Sequence, residues 1–129
     1  MKLHLTQADD QYLITAFDDG LVKINLQTYT NSLILMPNIL IDDWLSATPM
    51  PHALKALTVE NIATIAQLNP EVVLLGTGKT HQFMHPKMVA ALTQMNIAVE
   101  FMSTAAACRT YNILMSEGRN VAAALILEH

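Results

Sequence analysis

Three apolar runs, residues 72–75, 98–102 and 121–126, are separated by segments of helical period, and this arrangement restricts the fold more than any other feature of the chain. A strand wetted on one face alternates apolar and polar side chains, whereas a strand covered on both faces reads as a continuous apolar run. Such runs interleaved with helices point to an α/β layer sheet. The helical segments carry their own punctuation. Thr58 suits an N-cap, Glu60 favours the positive helix end, and Ile62, Ile65 and Ala66 form one apolar face before Asn69-Pro70 stops the helix. Pro86 fits the first turn of a second helix whose Met88, Leu92 and Met95 share a face. Ser103 or Thr104 caps a third helix over residues 105–117, closed by Gly118.

The N-terminal half has a different period. Val22, Ile24 and Leu26 alternate with Lys23, Asn25 and Gln27, which predicts a strand with one buried face, and residues 12–17 read as its partner. Asp19-Gly20 between them is a hairpin turn, because glycine takes the positive φ that a tight primed turn demands. Residues 32–36 and 39–44 read as further extended segments punctuated by Pro37-Asn38. The expectation is one α/β domain over residues 1–126 with an N-terminal β-hairpin subregion. Pro49-Met50-Pro51 is too short to divide it. Leu127-Glu128-His129 resembles the start of an affinity-tag remnant.

Composition narrows the function classes. Hydrophobic residues make up 52% of the 129 and charged residues 14%, against about 25% charged in ordinary domains, which excludes a disordered chain. Seven Lys and Arg against eleven Asp and Glu give a net charge of −4, so the basic footprint of a nucleic-acid or anionic-membrane binder is missing. The longest uncharged run lies between Lys23 and Asp42 and contains Asn25, Gln27, Thr28, Thr30, Asn31 and Ser32, too polar for a transmembrane span. The N-terminal residues carry neither an apolar core nor an Arg/Ser-rich presequence, and Cys108 is the single cysteine. A cytoplasmic protein is expected. So few charges also predict an apolar interface, to a partner or a second copy in a homo-oligomer.

Two segments invite chemistry. Gly76-Thr77-Gly78-Lys79-Thr80 follows a buried strand, where freed amides and the lysine could cradle an anion. A Walker A loop would need glycine at Val73, and a dinucleotide fingerprint would need glycine at His81, so neither nucleotide motif is present. The glycines equally serve a tight strand exit. In the second segment, residues 102–112, the small residues at 103–107 allow close backbone approach, and Arg109 shares a helix face with Ala105, Asn112 and Ile113. Cys108 near a helix N-terminus and beside Arg109 has two features that lower a thiol pKa, but no histidine is placed near it by sequence, and a packed structural cysteine is the simpler reading. His81 and His85 lack the glutamate and the helix of a zincin motif. Adjacent Asp42 and Asp43 on an extended segment point oppositely. The methionines read as core filling. No catalytic residue, metal or cofactor is assigned.

The strand at 72–75 with Gly76-Thr77-Gly78-Lys79, the segment from Met102 through Thr104, Cys108, Arg109, Thr110, Tyr111 and Asn112, and Glu117-Gly118-Arg119 with Val121-Ala122-Ala123-Ala124-Leu125 together resemble a small domain family of unknown function. That family includes mitochondrial complex I assembly factor 3 and its bacterial and archaeal relatives. Ser32 through Pro37 and Trp44 also fall where its pattern puts them, and Ser103 departs from the Asp or Asn that relatives carry before the threonine. The resemblance implies a three-layer β+α/β/α domain with a central mixed sheet of about five strands, and a role in binding protein partners, such as those of a respiratory or membrane complex, with no reaction established.

Two readings follow. The first is a non-enzymatic binding or assembly module with Arg109, Tyr111 and Asn112 as polar anchors. The alternative is a small-molecule site between the Gly76–Lys79 loop and the start of the third helix, where Lys79 and Arg109 neutralise an anionic ligand and Cys108 or Glu117 supplies chemistry. The candidate binding residues are Gly76, Thr77, Gly78, Lys79, Thr104, Cys108, Arg109, Thr110, Tyr111, Asn112, Glu117 and Arg119.

Overall fold

A computed structural model of the chain describes residues 4–5, 11–49 and 52–128. In chain order the elements are β1 (His4–Leu5), β2 (Ile14–Asp18), β3 (Leu21–Ile24), β4 (Gln27–Tyr29), β5 (Leu33–Met36), β6 (Ile39–Ile41), α1 (Val59–Gln67), β7 (Val72–Gly76), α2 (Ala90–Thr93), β8 (Ala98–Met102), α3 (Thr104–Ser116) and β9 (Val121–Leu125). A mixed sheet runs β1-β6-β5-β9-β7-β8, and a separate sheet runs β2-β3-β4. β7 is parallel to both β8 and β9, while β5 is antiparallel to β9 and β6. The five longer strands match the expected mixed sheet of about five, and the two-residue β1 extends it at one edge.

The mixed sheet separates two cores. On one face Val73, Leu75, Ala122 and Ala124 meet α1, α2 and the side chains of Trp44, Leu45, Leu54 and Leu57. On the other, Val72, Leu74, Ala123 and Leu125 meet α3 together with Ile14, Val22 and Ile24 of the small sheet. The layers are therefore α3 plus the three-stranded sheet, the mixed sheet, and α1 with α2, as the family resemblance implies. β7 and β9 are buried along their whole length, which is why they read as continuous apolar runs.

Local chemistry fixes the ends of these elements. Thr58 caps α1 reciprocally: its Oγ1 accepts the Asn61 N–H at 3.2 Å, and Asn61 Oδ1 accepts the Thr58 N–H at 2.8 Å. Ser103 caps α3 by accepting the Ala106 N–H at 3.2 Å, and Gly118 ends it with φ of 83°. Asp19 and Gly20 make the β2–β3 turn, with Gly20 at φ 74°.

Four expectations need correction. Leu26 is 94% exposed, because Asn25 at φ 53° ends β3 and starts a second turn into β4. The second helix is a 3-10 turn, Pro86–Val89, running into four residues of α2; Val89 and Leu92 enter the core while Met95 faces water. β8 is an edge strand with Ala98 and Glu100 exposed, not a strand covered on both faces. The extended segment at 39–44 ends at Ile41, and Trp44 lies in the following turns with its Nε1 donating to Asn61 O at 3.1 Å. Leu127, one residue past the expected domain boundary, is 1% exposed and packs in the second core. Among the described residues no helix is long and apolar enough to cross a membrane.

Candidate functional site

The loop after β7 and the first turn of α3 form one hydrogen-bonded clasp. Thr104 Oγ1 accepts the Gly78 N–H at 2.9 Å and donates to Ile126 O at 2.7 Å, while the Thr104 N–H donates to Gly78 O at 2.9 Å. Gly76 is glycine because α3 comes so close: a Cβ there would stand 3.0 Å from both Thr104 Cα and Thr104 Oγ1. Gly78 needs its positive φ of 99°. Thr77 is buried as well; its N–H donates to Met102 O at 2.8 Å and its hydroxyl accepts the Gln82 N–H at 3.1 Å.

Two shallow clefts adjoin this clasp, both bordered by Phe17 and Ala105. One, of about 170 Å³, is lined by Gly78, Lys79 and Thr104 with Asp19 and Glu128; the other, of about 220 Å³, lies over Cys108, Arg109 and Asn112 beside β2. Together they follow the seam between the β2–β3 hairpin and α3, with exposed Lys79 and Arg109 along it. Charge in the first cleft is mixed. The Lys79 N–H donates to the Glu128 carboxylate at 3.3 Å, so an acidic group of the chain itself sits where an external anion would.

The remaining predicted residues divide sharply. Tyr111 is fully buried and its hydroxyl donates to Tyr12 O at 2.8 Å; Asn112 accepts the Ile14 N–H at 3.0 Å and donates to Ile14 O at 2.7 Å. Both tie α3 to the hairpin, which leaves Arg109 as the exposed member of the expected anchor trio. Thr110 is half-buried on the same helix. Burial pushes the Cys108 thiol up to about 12, outweighing the downward pull of the Arg109 charge, so the thiol stays neutral at physiological pH. Glu117 and Arg119 lie past the far end of the thirteen-residue α3, roughly 20 Å along the helix from the clasp. Glu117 therefore cannot supply chemistry beside Lys79. Arg119 pairs there with Glu71 at 3.5 Å.

Sequence reasoning did not find a buried polar pair at the start of β5. Ser32 Oγ and His52 Nδ1 are 2.9 Å apart, and His52 Nε2 lies 3.2 Å from Thr48 O. A carbonyl only accepts, so Nε2 carries a proton towards Thr48, and in the neutral ring Nδ1 accepts from the serine hydroxyl. Ser32 Oγ also accepts the Leu127 N–H at 2.9 Å. The pair borders an open cleft of about 490 Å³ with Asn31, Asp42, Asp43 and Ser46. Nothing in a separation of twenty residues announces it. Of the two histidines considered for metal, His81 lies with its ring tilted 4.5 Å from that of Phe83, and His85 Nδ1 accepts the Lys87 N–H at 3.1 Å.

Comparison with known proteins fits this architecture. Residues 14–126 match the model of a family described as a protein of unknown function, DUF498/DUF598. The chain is 33% identical to a Bordetella parapertussis protein of known crystal structure, with a TM-score of 0.83 over 95% of this chain and 100% of that one. It is 42% identical over 72 residues to the Mus musculus NADH dehydrogenase (ubiquinone) 1 alpha subcomplex assembly factor 3, a match covering 54% of this chain but 39% of the mouse protein. It is 30% identical over 107 residues to a Francisella tularensis 13 kDa major membrane protein, covering 83% of this chain and 84% of that one.

Proposed function

The chain belongs to the DUF498/DUF598 family of proteins of unknown function, and we propose that it acts as a non-enzymatic binding module in the assembly of a protein complex. One observation carries this reading: the family-like segment engages its polar atoms within the fold. Thr104 closes the clasp, Tyr111 and Asn112 hold the hairpin, and Cys108 is buried with a neutral thiol. What remains at the surface is a seam flanked by Lys79 and Arg109, suited to contact rather than to bond breaking. The similarity to an assembly factor over 72 residues supports the same class, with respiratory or membrane-complex subunits as candidate partners. A cytoplasmic setting and self-association belong to the proposal. Capture with the full chain from a detergent extract of its host tests it. Subunits of one defined complex should be enriched, and a Lys79→Glu/Arg109→Glu double variant should lower that enrichment about tenfold or more. Equal recovery with both chains, or no specific subunit, overturns the reading.

A second reading has one specific observation behind it. The Glu128 carboxylate on the Lys79 amide marks a place where the loop accepts an anion. Titrating a Glu128→Gln variant with inorganic phosphate should then shift the Lys79 and Gly78 amides saturably; no shift removes this reading.

A further inference from the structure

β8 ends the mixed sheet and is hydrogen-bonded to β7 on one side only among the described residues. Its two faces differ in chemistry. Val99 and Phe101 turn toward the α1/α2 core and are half-buried, whereas Ala98 and Glu100 are exposed on the other face. Folded proteins blunt such edges with charge, proline or bulges. Glu100 supplies such a charge on one face, while on the other the apolar side is extended outward. Phe83 is 74% exposed, and its ring lies 5.7 Å from that of Phe101. Beside it is a hollow of about 270 Å³ whose apolar wall, Leu54, Leu57, Met84 and Met88, is shared with the polar side chains of Lys55, Gln82 and His85. The edge thus offers backbone groups flanked by an uncovered aromatic row on one face and a single carboxylate on the other.

We propose that the outer edge of β8 docks an extended segment of a partner protein that adds a strand to the sheet. Strand addition supplies main-chain hydrogen bonds, and alternate side chains of the guest are read by the two faces. Charge complementarity fixes the guest: apolar positions against Val99, Phe101 and Phe83, basic positions beside Glu100. A second copy of this chain fits poorly, because antiparallel pairing centred on the five residues of β8 sets Glu100 opposite Glu100, and like charges directly opposite are destabilising. This surface is distinct from the α3 seam, and it rests on the binding-module reading.

The probe is a six-residue peptide alternating valine with lysine, titrated into the full ¹⁵N-labelled chain. Amides of residues 98–102 and the Phe83 region should shift saturably. A peptide alternating valine with glutamate should bind about fivefold more weakly, and a Glu100→Lys variant, substituted at an exposed side chain, should invert that order. A valine–lysine peptide N-methylated at every amide should not bind, because neither of its edges can then donate hydrogen bonds to the strand. Absent or scattered shifts overturn the proposal. So does unchanged preference in Glu100→Lys, or a dependence of the same amides on protein concentration without peptide, which would assign the edge to a second copy. Host capture that depends on Lys79 and Arg109 with no peptide response at β8 removes this surface and leaves the module reading standing.

Discussion

Thr104 carries more of the clasp than any other side chain, since one hydroxyl answers the Gly78 N–H and the Ile126 carbonyl at once. Replacing it by valine keeps the shape and leaves both buried partners unsatisfied, so Thr104→Val should cost about 2–3 kcal/mol in urea unfolding, while Thr104→Ser should cost less than half of that. Equal losses in the two variants would mean that packing, not hydrogen bonding, sets the clasp. Cys108 gives a prediction with a sign. Its thiol is held near 12 in the fold, above the ordinary value of 9.0. Above the ordinary value the unfolded chain releases a proton that the folded chain retains, so stability contributed by the neutral thiol is present below it and declines as pH rises toward 12. The slope is of order 1 kcal/mol per pH unit. Urea midpoints from about pH 8 to 10 should fall more steeply in the native sequence than in Cys108→Ala; parallel curves would show that the thiol ionises in the folded state. The sequence located both residues but not the reason for Gly76, because the close neighbour that demands glycine there is Thr104, twenty-eight positions along the chain.

At the scale of elements, the hairpin is tied to α3 by the Tyr111 hydroxyl and the Asn112 carboxamide over shared apolar packing. The Asn112 carboxamide bonds both the N–H and the carbonyl of Ile14 and so acts as a backbone partner for β2 where no strand pairs with it. Asn112→Ala should cost about 2 kcal/mol, and that loss should be local. Hydrogen exchange at the amides of β2 and β3 should accelerate while β7 and β9 keep their protection; uniform acceleration would show that the hairpin does not open independently. Period told of this hairpin only as far as Ile24. Val22 and Ile24 point inward as the alternation requires, but Asn25 accepts the left-handed conformation and bonds the Leu13 N–H through Oδ1, so Leu26 leaves the pattern. Asparagine mid-pattern was the available signal. The second helix misled for a similar reason: the apolar spacing of Met88, Leu92 and Met95 was real, but Pro86 opens a 3-10 turn that rotates Val89 into the core instead.

For the whole molecule, the apolar excess divides between a doubly covered sheet centre and an incompletely covered edge. β7 and β9 are buried throughout, and both cores draw on them, so the low charge of the chain follows mainly from having two cores on one sheet. Layer order was legible because continuous apolar runs state how many faces are covered; at β8 the available signal was Glu100, the charge at the centre of the run that marks one face as exposed. The shared central strand has an energetic consequence. In β9, Ala122 and Ala124 face one core and Ala123 the other, and all three are fully buried, so neither core can lose its packing without disturbing the strand that supports the second. The chain should therefore unfold as one cooperative unit. Trp44 reports the α1/α2 core and far-UV circular dichroism reports the backbone of both, and the two denaturant curves should superimpose. Ala123→Val adds volume on the α3 face alone, where overpacking costs about 1–3 kcal/mol, yet it should move the Trp44 fluorescence midpoint on the opposite face by the same amount as the circular dichroism midpoint. A Trp44 transition that stays in place while the dichroism shifts would divide the molecule into two separately folding layers.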